Sequence, residues 1–288
     1  MIVSCITDRM GNQLFQYAAA KALAVRNKEV VKIDRRYYSH NIPTGFSYEL
    51  DAFCIPQYFV TDEEIARYTW PNDSLWYRAI RKVYPKYCYF EKSFEYDKGF
   101  NTLGSKVYLR GFWQSYKYFE DIEDLIRNEF SFKEQVNTWD DHFAKQIKES
   151  ESVCISIRRG DHITNPKIAR IFGKCDKVYY DNALRIIEQK HKNLTLFVFS
   201  DDIDWCSENL KFKHPTVFVK HSFDTPRYDY YLQLMSMCRH FVIPVSTFPW
   251  WGAWLSTNKD KIVIAPKTWF NDPAINTQDL CPPDWIRI

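Results

Sequence analysis

The chain opens on an apolar run, Ile2 to Ile6, turns polar at Thr7-Asp8-Arg9, and then becomes periodic. From Asn12 to Arg26 the residues Phe15, Ala18, Ala19, Ala22 and Leu23 recur at spacings of three and four, which predicts a helix with one apolar stripe. A strand over Glu29 to Ile33 completes a βαβ opening. Residues 35 to 105 scatter proline, tyrosine and asparagine with no sustained period, and predict mixed helices and long loops. A strand over Lys106 to Trp113 and a helix over Tyr116 to Phe130 follow, and the polar stretch from 131 to 150 reads as the connection between two halves.

Beyond residue 151 the alternation is regular. Apolar runs at Ser152 to Ile157, Leu194 to Phe199, Thr216 to Val219, Phe241 to Val245 and Ile262 to Ala265 are separated by helical patterns at Tyr179 to Lys190, Asp202 to Leu210, Tyr228 to Cys238 and Trp250 to Ser256. Strands spaced this way by helices make a parallel sheet covered on both faces. The expected class is therefore α/β, with two halves, 1–150 and 151–288, facing a cleft at the carboxyl ends of their strands, where open sheets bind ligands.

Composition narrows the function. A formal charge of +3 with 26% charged residues supplies no field for nucleic acid. The run Arg78, Arg81, Lys82 and Lys86, interleaved with Tyr77, Tyr84 and Tyr87, fits either a solvated helix face or contact with an anionic membrane surface. Eight cysteines without a C-x-x-C pair read as reduced core residues. No stretch reaches the roughly 18 apolar residues needed to cross a bilayer, and Pro244 and Pro249 interrupt the longest run, Phe241 to Leu255. A cytoplasmic protein is expected, with peripheral contact at the inner face of the membrane left open. Aromatic residues make up 17% of the chain, which suits walls for sugar faces or an aromatic core.

The candidate chemistry sits where apolar runs end. After Ile157 come Arg158-Arg159-Gly160-Asp161-His162. Guanidinium forks match diphosphate oxygens and stay charged, so they could stabilise a departing nucleoside diphosphate without a metal; the same pair also fits a surface salt-bridge site. After Phe199 come Ser200-Asp201-Asp202-Ile203-Asp204, which read as a helix cap with contacts to a nucleotide, or as D-x-D ligands for Mn²⁺. After Val245 come Ser246-Thr247, hydroxyls at a strand-to-helix turn that could receive a phosphate or simply cap. The first loop carries Gly11-Asn12-Gln13, with Asn12 expected at the N-cap and one glycine too few for a dinucleotide fingerprint. Together these polar loops describe a sugar-nucleotide site.

Those residues carry a resemblance. Met10-Gly11-Asn12-Gln13-Leu14-Phe15-Gln16-Tyr17-Ala18, Gly111-Phe112-Trp113-Gln114-Ser115, Arg158-Arg159-Gly160-Asp161, Tyr179-Tyr180, Phe199-Ser200-Asp201-Asp202, Leu234-Met235-Ser236 and Ser246-Thr247-Phe248 with Trp250-Trp251-Gly252 are similar, in this order, to the motifs of bacterial α-1,2-fucosyltransferases of glycosyltransferase family 11. The resemblance implies a GT-B arrangement of two Rossmann-like domains, an acceptor-side domain first and a sugar-nucleotide domain second. It also implies inversion at the anomeric carbon and GDP-fucose as donor substrate with no cofactor and no metal. The acceptor would be a glycan or lipid-linked oligosaccharide, reached at O-2 of a terminal galactose. Arg158 would face the diphosphate with Arg159 in support, and Asp201, Asp202, Asp229, Ser246 and Thr247, with Ser200 beside them, would surround the nucleotide. Gly11, Asn12 and Gln13 would approach from the first domain, and Asp161, with His162 as competitor, would take the acceptor proton.

Four positions depart from the family pattern. Ser156 replaces a histidine, Val245 an asparagine, Phe172 a histidine before Gly173, and Asp8 a glycine of the opening loop. They bear on donor and acceptor identity. A non-catalytic sugar-nucleotide-binding relic, or a transferase with another donor, is the competing class.

Overall fold

A computed structural model describes residues 1–39, 45–68, 87–137, 141–160, 164–220 and 227–288. The chain forms two compact units: Met1–Lys133 with Asn276–Leu280, and Glu134–Ile275 with Cys281–Ile288. The expected division at 150 differs from this because His142–Glu149 is an amphipathic helix that packs within the second unit.

The first unit holds β1 (Ile2–Cys5), α1 (Met10–Arg26), β2 (Val31–Asp34), α2 (Asp62–Tyr68), β3 (Cys88–Phe90), β4 (Val107–Arg110) and α3 (Glu123–Glu129). Its sheet runs β2-β1-β4-β3, every pair parallel. The chain leaves β1 first to one side and later to the other, so the order reverses between β1 and β4. Helix α1 buries Leu14, Phe15, Ala18, Ala19, Ala22 and Leu23, as its stripe predicts. It starts at Met10, two residues earlier than the pattern suggests, and Asn12 is not its cap. Arg9 occupies the cap position without a side-chain bond, and the first amide, Met10 N–H, donates instead to the buried Glu49 Oε2 at 2.6 Å. The expected helix over Tyr116 to Phe130 is two 3₁₀ turns followed by α3.

The second unit holds α4 (His142–Glu149), β5 (Glu151–Ile157), α5 (Pro166–Ile171), α6 (Lys177–Glu188), β6 (Leu194–Ser200), α7 (Ile203–Asn209), β7 (Thr216–Phe218), α8 (Tyr228–Met237), β8 (His240–Val242), α9 (Thr247–Leu255), β9 (Val263–Ala265) and β10 (Ile286–Arg287). Its parallel sheet runs β10-β9-β8-β5-β6-β7. Numbered within the unit this is 3-2-1-4-5-6 read from the β7 edge, the Rossmann order, with its switch point between β5 and β8. Strands β5 and β6 lie buried along nearly their whole length, hence their continuous apolar runs. The run 78–86 lies outside the described residues; Tyr87 beside it is exposed. Of the cysteines, Cys154, Cys206, Cys238 and Cys281 are buried, whereas Cys54 is exposed.

Candidate active site

A doubly wound parallel sheet opens a crevice at the carboxyl ends of the strands flanking its switch point. In the second unit that edge carries Arg158-Arg159-Gly160 after β5 and Ser246-Thr247 beyond β8. Arg158 Nη1 donates to Asp201 Oδ2 at 2.6 Å. Arg159 Nε donates to Asp202 Oδ2 at 3.0 Å, its backbone N–H to Asp201 Oδ1 at 2.8 Å, and its guanidinium lies 3.3 Å over the Trp205 ring. Both arginines are thus aimed by carboxylates from the neighbouring β6 loop. A Cβ on Gly160 would stand 2.6 Å from Asp201 Oδ2 and displace that carboxylate.

The acidic loop therefore does not cap α7 as expected. Asp202 is at the cap position without a side-chain bond, Ser200 Oγ accepts the Asp202 N–H at 3.0 Å, and Asp201 serves the arginines. Asp201 and Asp202 are each held by a guanidinium group, while Asp204, the second acid of the D-x-D stretch, lies in the first turn of α7. Ser246 stands at the start of α9 without a capping bond of its own, so its hydroxyl is not consumed by the helix it precedes. Asp161 and His162 lie outside the described residues.

Asp229 is engaged by Arg227. It lies in the first turn of α8 and the pairing is bidentate, at 3.0 and 2.8 Å. Burial pushes its carboxyl up, but the Arg227 hydrogen bonds and charge outweigh that and hold it below the ordinary carboxylate range. It lines a cavity of about 320 Å³ with Glu134, Asn137, Asp141 and Gln233, and neither Arg158 nor Ser246 lines that cavity.

The Tyr179-Tyr180 motif is structural. Tyr179 Oη donates to Ile243 O at 2.6 Å and Tyr180 Oη to Ser156 O at 2.9 Å, pinning α6 to the strand ends that flank the switch point. Ser156 and Val245 are buried at those ends. The Cys175 thiol, pushed by burial up to about 12, shares a hydrogen bond with the Val245 backbone. Phe172 meets Phe270 at 5.2 Å, so that departure has an apolar partner.

In the first unit the switch point brings the opening loop against Gly111–Ser115. Gln13 is fully buried: its amide donates to Asp8 O at 2.9 Å and Ser47 O at 2.7 Å and accepts from Glu49 N–H at 2.8 Å. Gln16 in turn grips Thr7 through its backbone N–H and its Oγ1, each at 2.9 Å. These glutamines shape the loop, and in the first turn of α1 Gly11 is buried while Asn12 is half-buried. Gln114, to which the sequence motif assigns no role, donates its Nε2–H to Asn12 Oδ1 at 2.9 Å. The turn behind it is strained and over-determined. Buried Trp113 has φ 55°, Glu91 accepts the Phe112 and Trp113 N–H groups at 2.7 and 2.8 Å, and a Cβ on Gly111 would meet Glu91 Cβ at 2.3 Å.

Among the described residues, Glu151, His191 and His240 bring three ligand atoms within 4.8 Å. His240 Nδ1, however, accepts the Ile262 N–H at 3.1 Å, so its Nε2 carries the proton that goes to Glu151 Oε1 and is not a metal ligand.

Two Rossmann-like units, with braced arginines and a helix amino terminus at one switch point, define a GT-B-like sugar-nucleotide transferase. The likeness to a point variant of Arabidopsis thaliana FUT1 in complex with GDP, with TM-score 0.54 and 11% identity over 98% of this chain and 74% of that one, shows the same fold. The chain belongs to glycosyl transferase family 11, whose model matches residues 3–288. It is 34% identical to an alpha-1,2-colitosyltransferase of Escherichia coli, over all of this chain and 99% of that one. It is 30% identical to the O-antigen biosynthesis glycosyltransferase WbnK of Escherichia coli, over 99% of each. No helix among the described residues is long and apolar enough to cross a membrane.

Proposed function

We propose that this glycosyltransferase moves L-fucose from GDP-fucose to O-2 of a terminal β-galactoside, with inversion, in the assembly of a surface glycan. The observation that carries the reading is the braced pair Arg158–Asp201 and Arg159–Asp202 at the switch point of a Rossmann-ordered sheet. As the C1–oxygen bond to the β-phosphate breaks, negative charge grows on the diphosphate, and guanidinium groups already held in place stabilise it without reorganising. Ser246, Thr247 and the α9 amino terminus complete the phosphate site, with no cofactor and no metal. The acceptor oxygen attacks C1 from the opposite face and gives its proton to Asp161. Asn12, oriented by Gln114, serves the sugar side, and Gln13 holds the loop that presents it.

A second donor, a GDP-linked 3,6-dideoxyhexose of the colitose type, is favoured by Val245. A buried apolar group in place of an amide suits a sugar lacking a hydroxyl, and one relative is named for colitosyl transfer. The test is incubation of the full chain with GDP-fucose, GDP-colitose, GDP-mannose and UDP-galactose and a β-galactoside acceptor, read by product mass. A deoxyhexosylated galactoside, formed from a GDP-linked donor with release of GDP, is expected. Transfer from UDP-galactose alone overturns the donor reading, and absence of both transfer and donor hydrolysis leaves the non-catalytic relic.

A further inference from the structure

At the carboxyl end of β1 the backbone of Asp8 takes φ 63°, the left-handed region that glycine occupies without strain. An aspartate at this position accepts backbone strain that glycine would avoid, and supplies a carboxylate. The side chain is half-buried, and burial pushes its carboxyl up. Among the described residues it receives one hydrogen bond, from Thr7 Oγ1 at 3.4 Å. A half-buried carboxylate with one long hydrogen bond keeps accepting capacity for solvent or for a donor-bearing ligand.

Its surroundings are aromatic. Tyr38 donates its hydroxyl to Asp8 O at 2.7 Å. The Tyr38 ring meets Tyr37 at 5.1 Å and Tyr48 at 6.2 Å, and Tyr48 meets Phe59 at 5.9 Å. Tyr37 and Phe59, at the two ends of this row, are each 36% exposed, and Arg35 lies 4.0 Å over Phe59. Carboxylate oxygens accept from neighbouring sugar hydroxyls, while rings of this kind cover the C–H face of a pyranose.

We propose that Asp8 is a specificity-determining residue for the acceptor, receiving hydrogen bonds from hydroxyls of its terminal sugar while Tyr37 lies against the ring face. This rests on the reading of the chain as a galactoside-directed transferase. The Asp8→Gly variant tests it cleanly, because glycine relieves the backbone and keeps the thermal midpoint at or above that of the parent. With GDP-fucose and the probes N-acetyllactosamine and lacto-N-biose, the acceptor KM rises about ten- to a hundredfold, the scale of hydrogen bonds to a charged group. Donor hydrolysis without acceptor stays within about twofold, since that reaction does not use the acceptor contacts. An unchanged acceptor KM, or an equal fall in donor hydrolysis, overturns the proposal. Saturation-transfer NMR of the same disaccharides with GDP present separates this from a wrong donor. Binding to the parent that is lost in Asp8→Gly sustains it whichever sugar is transferred, and a parent that binds neither probe overturns it.

Discussion

Arg158 and Asp201 are joined Nη1 to Oδ2 at 2.6 Å, and the other oxygen of the same carboxylate accepts the backbone N–H of Arg159. One carboxylate thus aims the Arg158 guanidinium and fixes the Arg159 backbone, while Asp202 aims the Arg159 side chain. Replacing Arg158 with alanine should lower kcat by about 10² to 10³ fold, as loss of a donor to developing charge does elsewhere, with the fold intact by circular dichroism. Asp201→Asn should also lose turnover, because an amide N–H₂ would face the guanidinium. A well-folded Arg158→Ala variant with near-parental kcat removes the diphosphate role.

Gly160→Ala probes the same geometry from the backbone. A Cβ at 2.6 Å from Asp201 Oδ2 must push the carboxylate away from Arg158, so kcat/KM should fall at least about tenfold. Gly104, where a Cβ meets nothing within 4 Å, is the control. Its alanine variant should keep both activity and denaturation midpoint. Equal behaviour of the two variants, measured side by side, would contradict the role given to Gly160.

Stability should decline in mild acid through His240, which is 1% exposed. Burial disfavours the imidazolium and lowers its pKa below the ordinary 6.5 despite the hydrogen bond it donates to Glu151. The unfolded chain therefore takes up the proton first, and stability, undisturbed above about pH 6.5, falls as pH drops below that value. Glu151 adds a second decline. Burial raises its pKa, but His240, Arg239 and His191 together lower it below 4.5, so its contribution is present above that pH and lost as pH falls through the lowered value. Urea midpoints at pH 7.5 and 5.5 should differ in the parent and converge in His240→Gln. Unaltered pH sensitivity in that variant would assign the effect to other groups.

Excess EDTA should leave transfer unaffected. Asp201 and Asp202 are engaged by arginines, and the charge a cation would supply is supplied by Arg158 and Arg159. Activity abolished by EDTA and restored by Mn²⁺ would return the D-x-D reading.

The strand-end loops were legible because parallel strands buried on both faces read as unbroken apolar runs, and their polar successors, Arg158 and Ser246, must lie at the carboxyl edge. Helix α1 was legible from its stripe, but its start was not, since the partner of its first amide is Glu49, 39 residues away. Strand β3 spans only three residues, none of them buried, and offers no period to detect. The bidentate pairing of Asp229 with Arg227, two residues before it, carried no sequence sign. Gln114 gained its role only from Trp113, whose left-handed backbone no propensity for a tryptophan would suggest.

The return of Asn276–Leu280 to the first unit sets an order of events in time. Ser115 Oγ donates to Asp279 O at 2.6 Å, Tyr96 N–H donates to Asp279 Oδ2 at 3.2 Å, and Lys117 forms an ion pair with the same carboxylate. The turn that aims Gln114 at Asn12 is therefore anchored by a residue made more than 160 positions later. At roughly 5 to 20 residues per second on a ribosome, the amino-terminal unit waits on the order of ten seconds or more for its own last piece. A nascent chain stalled before Asp279 emerges should carry β1, α1 and β4 but a proteolytically open 111–115 turn, so the half that begins first is finished last.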